Sequence, residues 1–209
     1  MKHSRTLIIA FASCLLLLAS SETFAYGVGA CASIGSGSFN FRELEKDESS
    51  RSDVNSYLGG GILFDTAVAE DEVFNYRVNF GFEIWKRDFV LNEDTGRYHI
   101  TLYNSFGFGI VRLQWMRLWL GPQLGLQYLR QSATGSSYRH EGFGMTLGAV
   151  AGVNFNIGRD FSIGLDGGGR YRFSYMGSDR KEAYDFFHYG IEGFANLSFI
   201  YRIDDEYSR

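Results

Sequence analysis

The stretch FSIGLDGGGRYRFSY, residues 161–175, separates into two sets when read in alternation. Phe161, Ile163, Leu165, Gly167, Gly169, Tyr171, Phe173 and Tyr175 make one set. Ser162, Gly164, Asp166, Gly168, Arg170, Arg172 and Ser174 make the other. A period of two held this long is a strand signature, because a helix repeats every 3.6 residues. One side is aromatic and aliphatic, the other small and charged, so the strand stands between two different surroundings.

The period recurs along the chain. Residues 74–87 set Phe74, Tyr76, Val78, Phe80, Phe82 and Ile84 against Asn75, Arg77, Asn79, Glu83 and Arg87. Residues 143–157 set Phe143, Met145, Leu147, Ala149, Ala151, Val153, Phe155 and Ile157 against mainly Gly, Thr and Asn. In 188–203 Tyr189, Ile191, Leu197, Phe199 and Tyr201 oppose His188, Glu192, Asn196, Ser198 and Arg202, with Phe194 and Ile200 as exceptions. Further strands are expected at about 26–41, 55–69, 97–112 and 116–131, the first small on both faces, giving eight in all. Each is longer than the roughly 9–11 residues that cross a bilayer.

The connections alternate in length. Short ones fall at 70–73, 113–115 and 158–160, an intermediate one at 92–96, and long polar ones at 42–54, 132–142 and 178–187. Tight turns at one end and loops at the other suit an antiparallel up-and-down sheet. An eight-stranded barrel has room inside only for side chains or one small ligand. Here the bulky residues populate one face and the small and charged ones the other, so the bulky face belongs outside. Hydrocarbon tolerates that exterior, and a sheet crossing it must close on itself to satisfy its backbone. Aromatics also gather near strand ends: Tyr98, Tyr128, Phe143, Tyr175 and Tyr189 toward the loops, Phe74, Phe155, Phe161 and Tyr201 toward the turns. The fold class is all-β, an eight-stranded antiparallel up-and-down transmembrane barrel after a cleaved signal peptide. A soluble lipocalin-like periplasmic barrel binding an apolar ligand is the alternative.

The chain has 209 residues, a formal charge of -4, 26 Gly and a single Pro. No basic cluster points to nucleic acid. Residues 1–25 begin with a basic MKHSR, continue through an apolar run and end on Thr23 and Ala25. That is the pattern of a secretory signal peptide, leaving a single barrel domain over 26–209. Only Cys31 would survive cleavage, so no internal disulfide is expected.

Segments such as YGVGACASIGSG, LGPQLGLQY and GLDGGGRYRFSY resemble the Gly-aromatic strands of small eight-stranded bacterial outer-membrane barrels. That superfamily includes the barrel domain of outer-membrane protein A and the opacity-type porin-like proteins. The resemblance spans 26–203 and is one of pattern. It implies a Gram-negative outer-membrane location. Such barrels commonly finish on an aromatic residue, whereas here LSFIYRI is followed by DDEYSR, so an insertion signal would be internal, around Phe199 to Tyr201.

Inward parity collects Asp65, Arg77, Glu83, Arg87, Arg117, Asp166, Arg170, Arg172, Glu192 and Arg202. Charges so placed must be paired or wet. Arg170 and Arg172 are expected to neighbour Glu192, and Asp166 to reach Arg77 or Arg202. The expected result is a lumen charge network in a polar, closed lumen, with a narrow pore for ions or small solutes as the alternative. His99 and His188 point inward without a third ligand, so neither a metal site nor a cofactor is expected. A Ser-His pair facing lipid is lacking by parity, and no enzyme activity or catalytic residue is assigned. Pro122 should mark a bulge or a strand end, and inward Trp119 hints at a register shift there. The bilayer is the expected partner of a monomer, with an extracellular ligand possible at loops 42–54, 132–142 and 178–187.

Overall fold

The structure, a computed structural model, describes residues 26–43, 51–66, 73–87, 95–133, 139–178 and 185–203. The expected leader over 1–25, the middle of each long loop, the rest of the 70–73 and 92–96 connections and the tail after residue 203 lie outside the described residues.

Eight strands follow in chain order: β1 Tyr26–Glu43, β2 Arg51–Asp65, β3 Phe74–Arg87, β4 Thr95–Arg112, β5 Met116–Ala133, β6 Arg139–Ile157, β7 Phe161–Ser178 and β8 Phe186–Ile203. Each pairs antiparallel with its sequence neighbour, and β1 pairs with β8, so the sheet closes into a barrel. The registers fix its shape. From Ser33 the partners run through Gly59, Glu83, His99, Leu129, Gly142, Met176 and Phe186 and return to β1 at Glu43, ten positions further on. With about 3.3 Å per residue and about 4.8 Å between strands, that stagger tilts the strands by about 40°.

Orientation follows the alternation. Phe161, Leu165, Phe173, Leu197 and Phe199 face outward at 39–53% exposure, while Arg77, Arg172, Glu83 and Glu192 face the axis at 0–2%. Aromatic pairs ring both ends. Tyr26 meets Phe64 at 5.7 Å and Phe161 meets Tyr201 at 5.4 Å toward the turns; Tyr128 meets Phe143 at 5.4 Å and Tyr175 meets Phe187 at 5.7 Å toward the loops.

The tight turns are tied by short-range bonds. Leu113 and Met116 exchange backbone bonds, and Asn156 braces the same turn by donating its side chain to the Gln114 carbonyl at 2.8 Å. At the β6–β7 turn Gly158 takes φ +64, a conformation glycine adopts without a Cβ clash. Strand β2 ends at Asp65, short of the expected residue 69, and Thr66 still meets Tyr76, donating its amide to the Tyr76 carbonyl at 3.0 Å and accepting the Tyr76 amide at Oγ1 at 2.9 Å. Strands β2 and β6 begin four residues earlier than expected, at Arg51 and Arg139. Pairing carries on there past the region where two different solvents impose alternation.

Two details near Pro122 differ from expectation. Strand β5 keeps its alternation throughout, and Trp119 is fully buried without any slip of its own strand. The irregularity is on β4, between Gly109 and Val111, opposite Trp119 and Leu118. Pro122 instead faces outward, paired with Ala149 of β6.

The interior is also bulkier than small-inside, large-outside implies. Phe39, Tyr57, Trp85, Trp119, Val150 and Phe194 form one buried cluster, and Leu63 and Ile200 another. Glycines make the room. A Cβ at Gly152 would lie 2.7 Å from the Trp119 ring, and one at Gly35 would strike Tyr57. Phe194 and Ile200, the exceptions to alternation in β8, are therefore lumen fillers.

Candidate functional site: the charged lumen

Strand parity builds the site. Arg170 and Arg172, two apart on β7, share the inward face, and the register sets Arg170 opposite Glu192 on β8. Glu83 comes from β3, on the far side of the lumen. Arg170 Nε donates to Glu192, and its Nη2 donates to the Tyr57 hydroxyl at 2.9 Å and to Glu83 at 3.4 Å. Arg172 Nη2 donates to Glu192 at 2.8 Å and to Glu83 at 3.2 Å. The Glu83 carboxylate also accepts from Tyr103 at 2.7 Å and Trp85 at 2.8 Å. Two arginines and two glutamates thus balance in charge, as burial demands, while Arg172 Nε and Glu192 Oε2 are buried without a hydrogen-bond partner.

Rings flank the guanidinium groups. Arg170 lies 3.8 Å from the Tyr103 centroid and 4.4 Å from that of Phe194, and Arg172 lies 4.6 Å from that of Trp85. Gln123 and Gln127 accept from Arg170 and Arg172 respectively. Arg172 Nη1 also lies 2.6 Å from His99 Nδ1. Arginine has only donors, so His99 Nδ1 presents its lone pair there.

A second cluster sits toward the turns. Asp65 and Arg77 are partners in the β2–β3 register, and Arg77 donates to Asp65 at 2.9 and 2.6 Å. It also donates to Asp166 at 2.9 Å and Asn154 at 3.0 Å, while Asn196 donates to Asp166 at 2.6 Å. The Trp119 ring covers its guanidinium at 4.8 Å. Between the clusters, a cavity of about 20 Å³ bordered by Cys31, Asn79, Glu83 and Arg170 has room for about one water.

Of three further residues expected in the network, Arg202 bonds elsewhere, and Arg117 and Arg87 are placed only by strand position. Arg202 donates to the Gly158 carbonyl at the turn, so Asp166 is met by Arg77 and not by Arg202. Arg117 is buried near the turn end of β5. Arg87 closes β3 opposite Asn55, and its side chain lies outside the described residues. Tyr57, Trp85, Tyr103, Gln123 and Gln127 join the clusters without having been singled out. Their inward parity was readable, but parity does not say which polar groups across a lumen will touch.

His99 and His188 are both buried and inward. Ser174 Oγ lies 3.3 Å from His188 Nδ1, yet its nearer bond, 3.1 Å, goes to the His188 carbonyl. The His188 ring is held against Phe39 and Phe41, at 4.6 and 4.7 Å. This contact packs the loop end of the lumen.

No protein-family model matches the chain, and no curated protein sequence matches it. Solved structures similar to it include Neisserial surface protein A (15% identity, 82% of this chain and 96% of that one, TM-score 0.38). The attachment invasion locus protein Ail of Yersinia pestis is similar at 16% identity over 87% of this chain and 100% of that one, TM-score 0.40. The N-terminal β-barrel domain of Pseudomonas aeruginosa OprF is similar at 14% identity over 82% and 97%, TM-score 0.32. The strand pairing itself establishes the architecture: the chain folds as an all-β, closed, eight-stranded antiparallel up-and-down barrel, as in the small outer-membrane barrels it resembles.

Proposed function

We propose that the protein is an integral barrel of the Gram-negative outer membrane, with a closed lumen and a structural or surface-interaction role. The observation that carries this reading is its inverted polarity. Phenylalanine, leucine and isoleucine cover the outside, while arginine, glutamate and asparagine are buried within. A soluble barrel holding an apolar ligand has the opposite arrangement, and its cavity would be apolar. Here the axis at the level of Glu83 and Arg170 is filled by paired charges, and a cavity beside them of about 20 Å³ has room for about one water.

The ion-pair clusters support closure over conduction. They span the lumen from β3 to β7 and β8, so a hydrated ion would have to displace paired groups. The wall is then a rigid platform, and surface contacts fall to loops 42–54, 132–142 and 178–187 at the barrel's wide-loop end.

Gel migration with and without boiling tests the membrane reading. A folded barrel in detergent should resist SDS until heated and then shift, and a chain that stays soluble and folded without detergent would overturn it. Planar-bilayer recording tests closure: the wild type should give no steady conductance.

A further inference from the structure

Charge on the outward wall is unevenly placed. At the turn end the outward ring of Tyr26, Phe74, Phe108, Phe155, Phe161 and Tyr201 carries no charge among the described residues. Toward the loops, Lys86 of β3, Arg130 of β5 and Arg139 of β6 are exposed and outward, with Glu141 of β6 as the acid among them. On the other side of the barrel the described outward charges at the loop end are Arg42 and Asp185, which cancel. An excess of two positive charges therefore sits on one sector, β3 to β6, and at one end only.

We infer that Lys86, Arg130 and Arg139 form a docking site for a glycolipid with two phosphates in the loop-end leaflet, an inference that rests on the membrane-barrel reading above. Depth favours it. Ten residues of stagger over eight strands shift equal levels from register partners by about 1.25 residues per strand. On that scale Lys86, Tyr98, Arg130, Phe143, Tyr175 and Tyr189 stand within about two residues of one level. The turn-end ring lies about 12 residues below, roughly 30 Å at this tilt, which is the thickness of the hydrocarbon core. Lys86 and Arg130 thus stand where headgroups begin, and Arg139 is about three residues higher, at headgroup depth.

Charge and shape agree with depth. Glu141 lies 3.4 Å from Arg139 and 3.8 Å from Arg130, with all three side chains 44–47% exposed. Exposed pairs of this kind contribute little, and a phosphate, which accepts two parallel bonds from a guanidinium, competes with that carboxylate for both arginines. Arg130 pairs with Tyr98 in the register, and the next outward position on β4 is Gly96, so β4 raises no side chain between Lys86 and Arg130 above the tyrosine. Those two bases are separated by two strand spacings, about 10 Å, with Arg139 on the strand beyond. A single phosphate would engage one pair of them, whereas a sugar headgroup with two phosphates engages all three. Tyr98 and Tyr128, directly below, have the apolar ring and polar tip that suit the boundary between acyl chains and sugar.

The test is lipid retention by the folded barrel in zwitterionic detergent, read by native mass spectrometry. Lipid A, dephosphorylated lipid A and phosphatidylglycerol are each offered to wild type, to Lys86→Gln, to Arg130→Gln, to the double variant and to Arg42→Gln. Wild type and Arg42→Gln should retain lipid A equally, the double variant severalfold less, and the two single variants in between. Dephosphorylated lipid A should be held severalfold more weakly than lipid A by the wild type. Retention by the double and single variants equal to wild type would overturn the site, as would an equal loss in Arg42→Gln. Phosphatidylglycerol held as tightly as lipid A would overturn the glycolipid in favour of any anionic headgroup. Boiling half of each sample before electrophoresis separates the two readings. A wild type that shows the heat shift and retains no lipid A sinks only the docking site, and one without the heat shift sinks the membrane barrel.

Discussion

Arg172 and Glu83 stand 89 residues apart in the chain and meet across the lumen at 3.2 Å, each also bound to further buried partners. The pair joins β7 to β3, strands that do not neighbour one another in the sheet. It is therefore a strut through the cylinder, additional to the backbone ladder around it.

Removing one end of that strut should be costly. Arg172→Met leaves Glu83 and Glu192 buried with less positive charge, a change worth about 3–5 kcal/mol. A urea titration of the barrel in lipid vesicles should show the lowered midpoint. A midpoint equal to wild type would mean that the cluster does not brace the wall.

Crowding the interior should also destabilise. Gly35→Ala places a methyl group against the Tyr57 ring, an overpacking cost of about 1–3 kcal/mol. Gly177, whose nearest neighbour to an added Cβ lies at 3.5 Å, serves as the contrast, and Gly177→Ala should leave the same titration nearly unchanged.

The outer belt should discriminate by depth. Leu124 projects outward near the middle of β5, where an arginine costs about 2–4 kcal/mol in a bilayer, while Tyr201 near the turn end should cost about 0–1 kcal/mol. Refolding yields of Leu124→Arg and Tyr201→Arg in vesicles should rank in that order. Equal yields would place the bilayer elsewhere on the wall.

At the loop end, the Tyr175 hydroxyl and the Ser178 amide both donate to Asp185 and hold its carboxyl below the usual carboxylate range. A depressed folded value means that the contact is made at neutral pH and lost as pH falls through that value. Amide exchange at Ser178 should accelerate on acidification, and Asp185→Asn should remove that acid step. A pH-independent Ser178 amide would contradict the link.

Much of this fold was legible because two solvents imprint a period of two. Residues 161–175 of β7 follow the two sets read from the sequence, from outward Phe161 to inward Ser174. Legibility fades where the imprint does. The first residues of β2 and β6 are polar at successive positions and carry no alternation, and Phe194 and Ile200 obey the volume of the lumen and not its polarity. Arg170 with Glu192 could be anticipated from adjacent strands. Arg77 with Asp166 was one of two options, and Arg172 with Glu83 depended on the diameter and stagger of the closed ring, which no single strand encodes.

The pairing of β1 with β8 has a consequence for the order of synthesis. The first strand to leave the ribosome must wait for the last, since residues 26–43 find one of their two partners only in residues 186–203. Every shorter nascent product carries two bare edges prone to pairing with other chains. Such a chain must be escorted unfolded to its membrane, and its assembly rate is set by a contact spanning nearly the whole polypeptide.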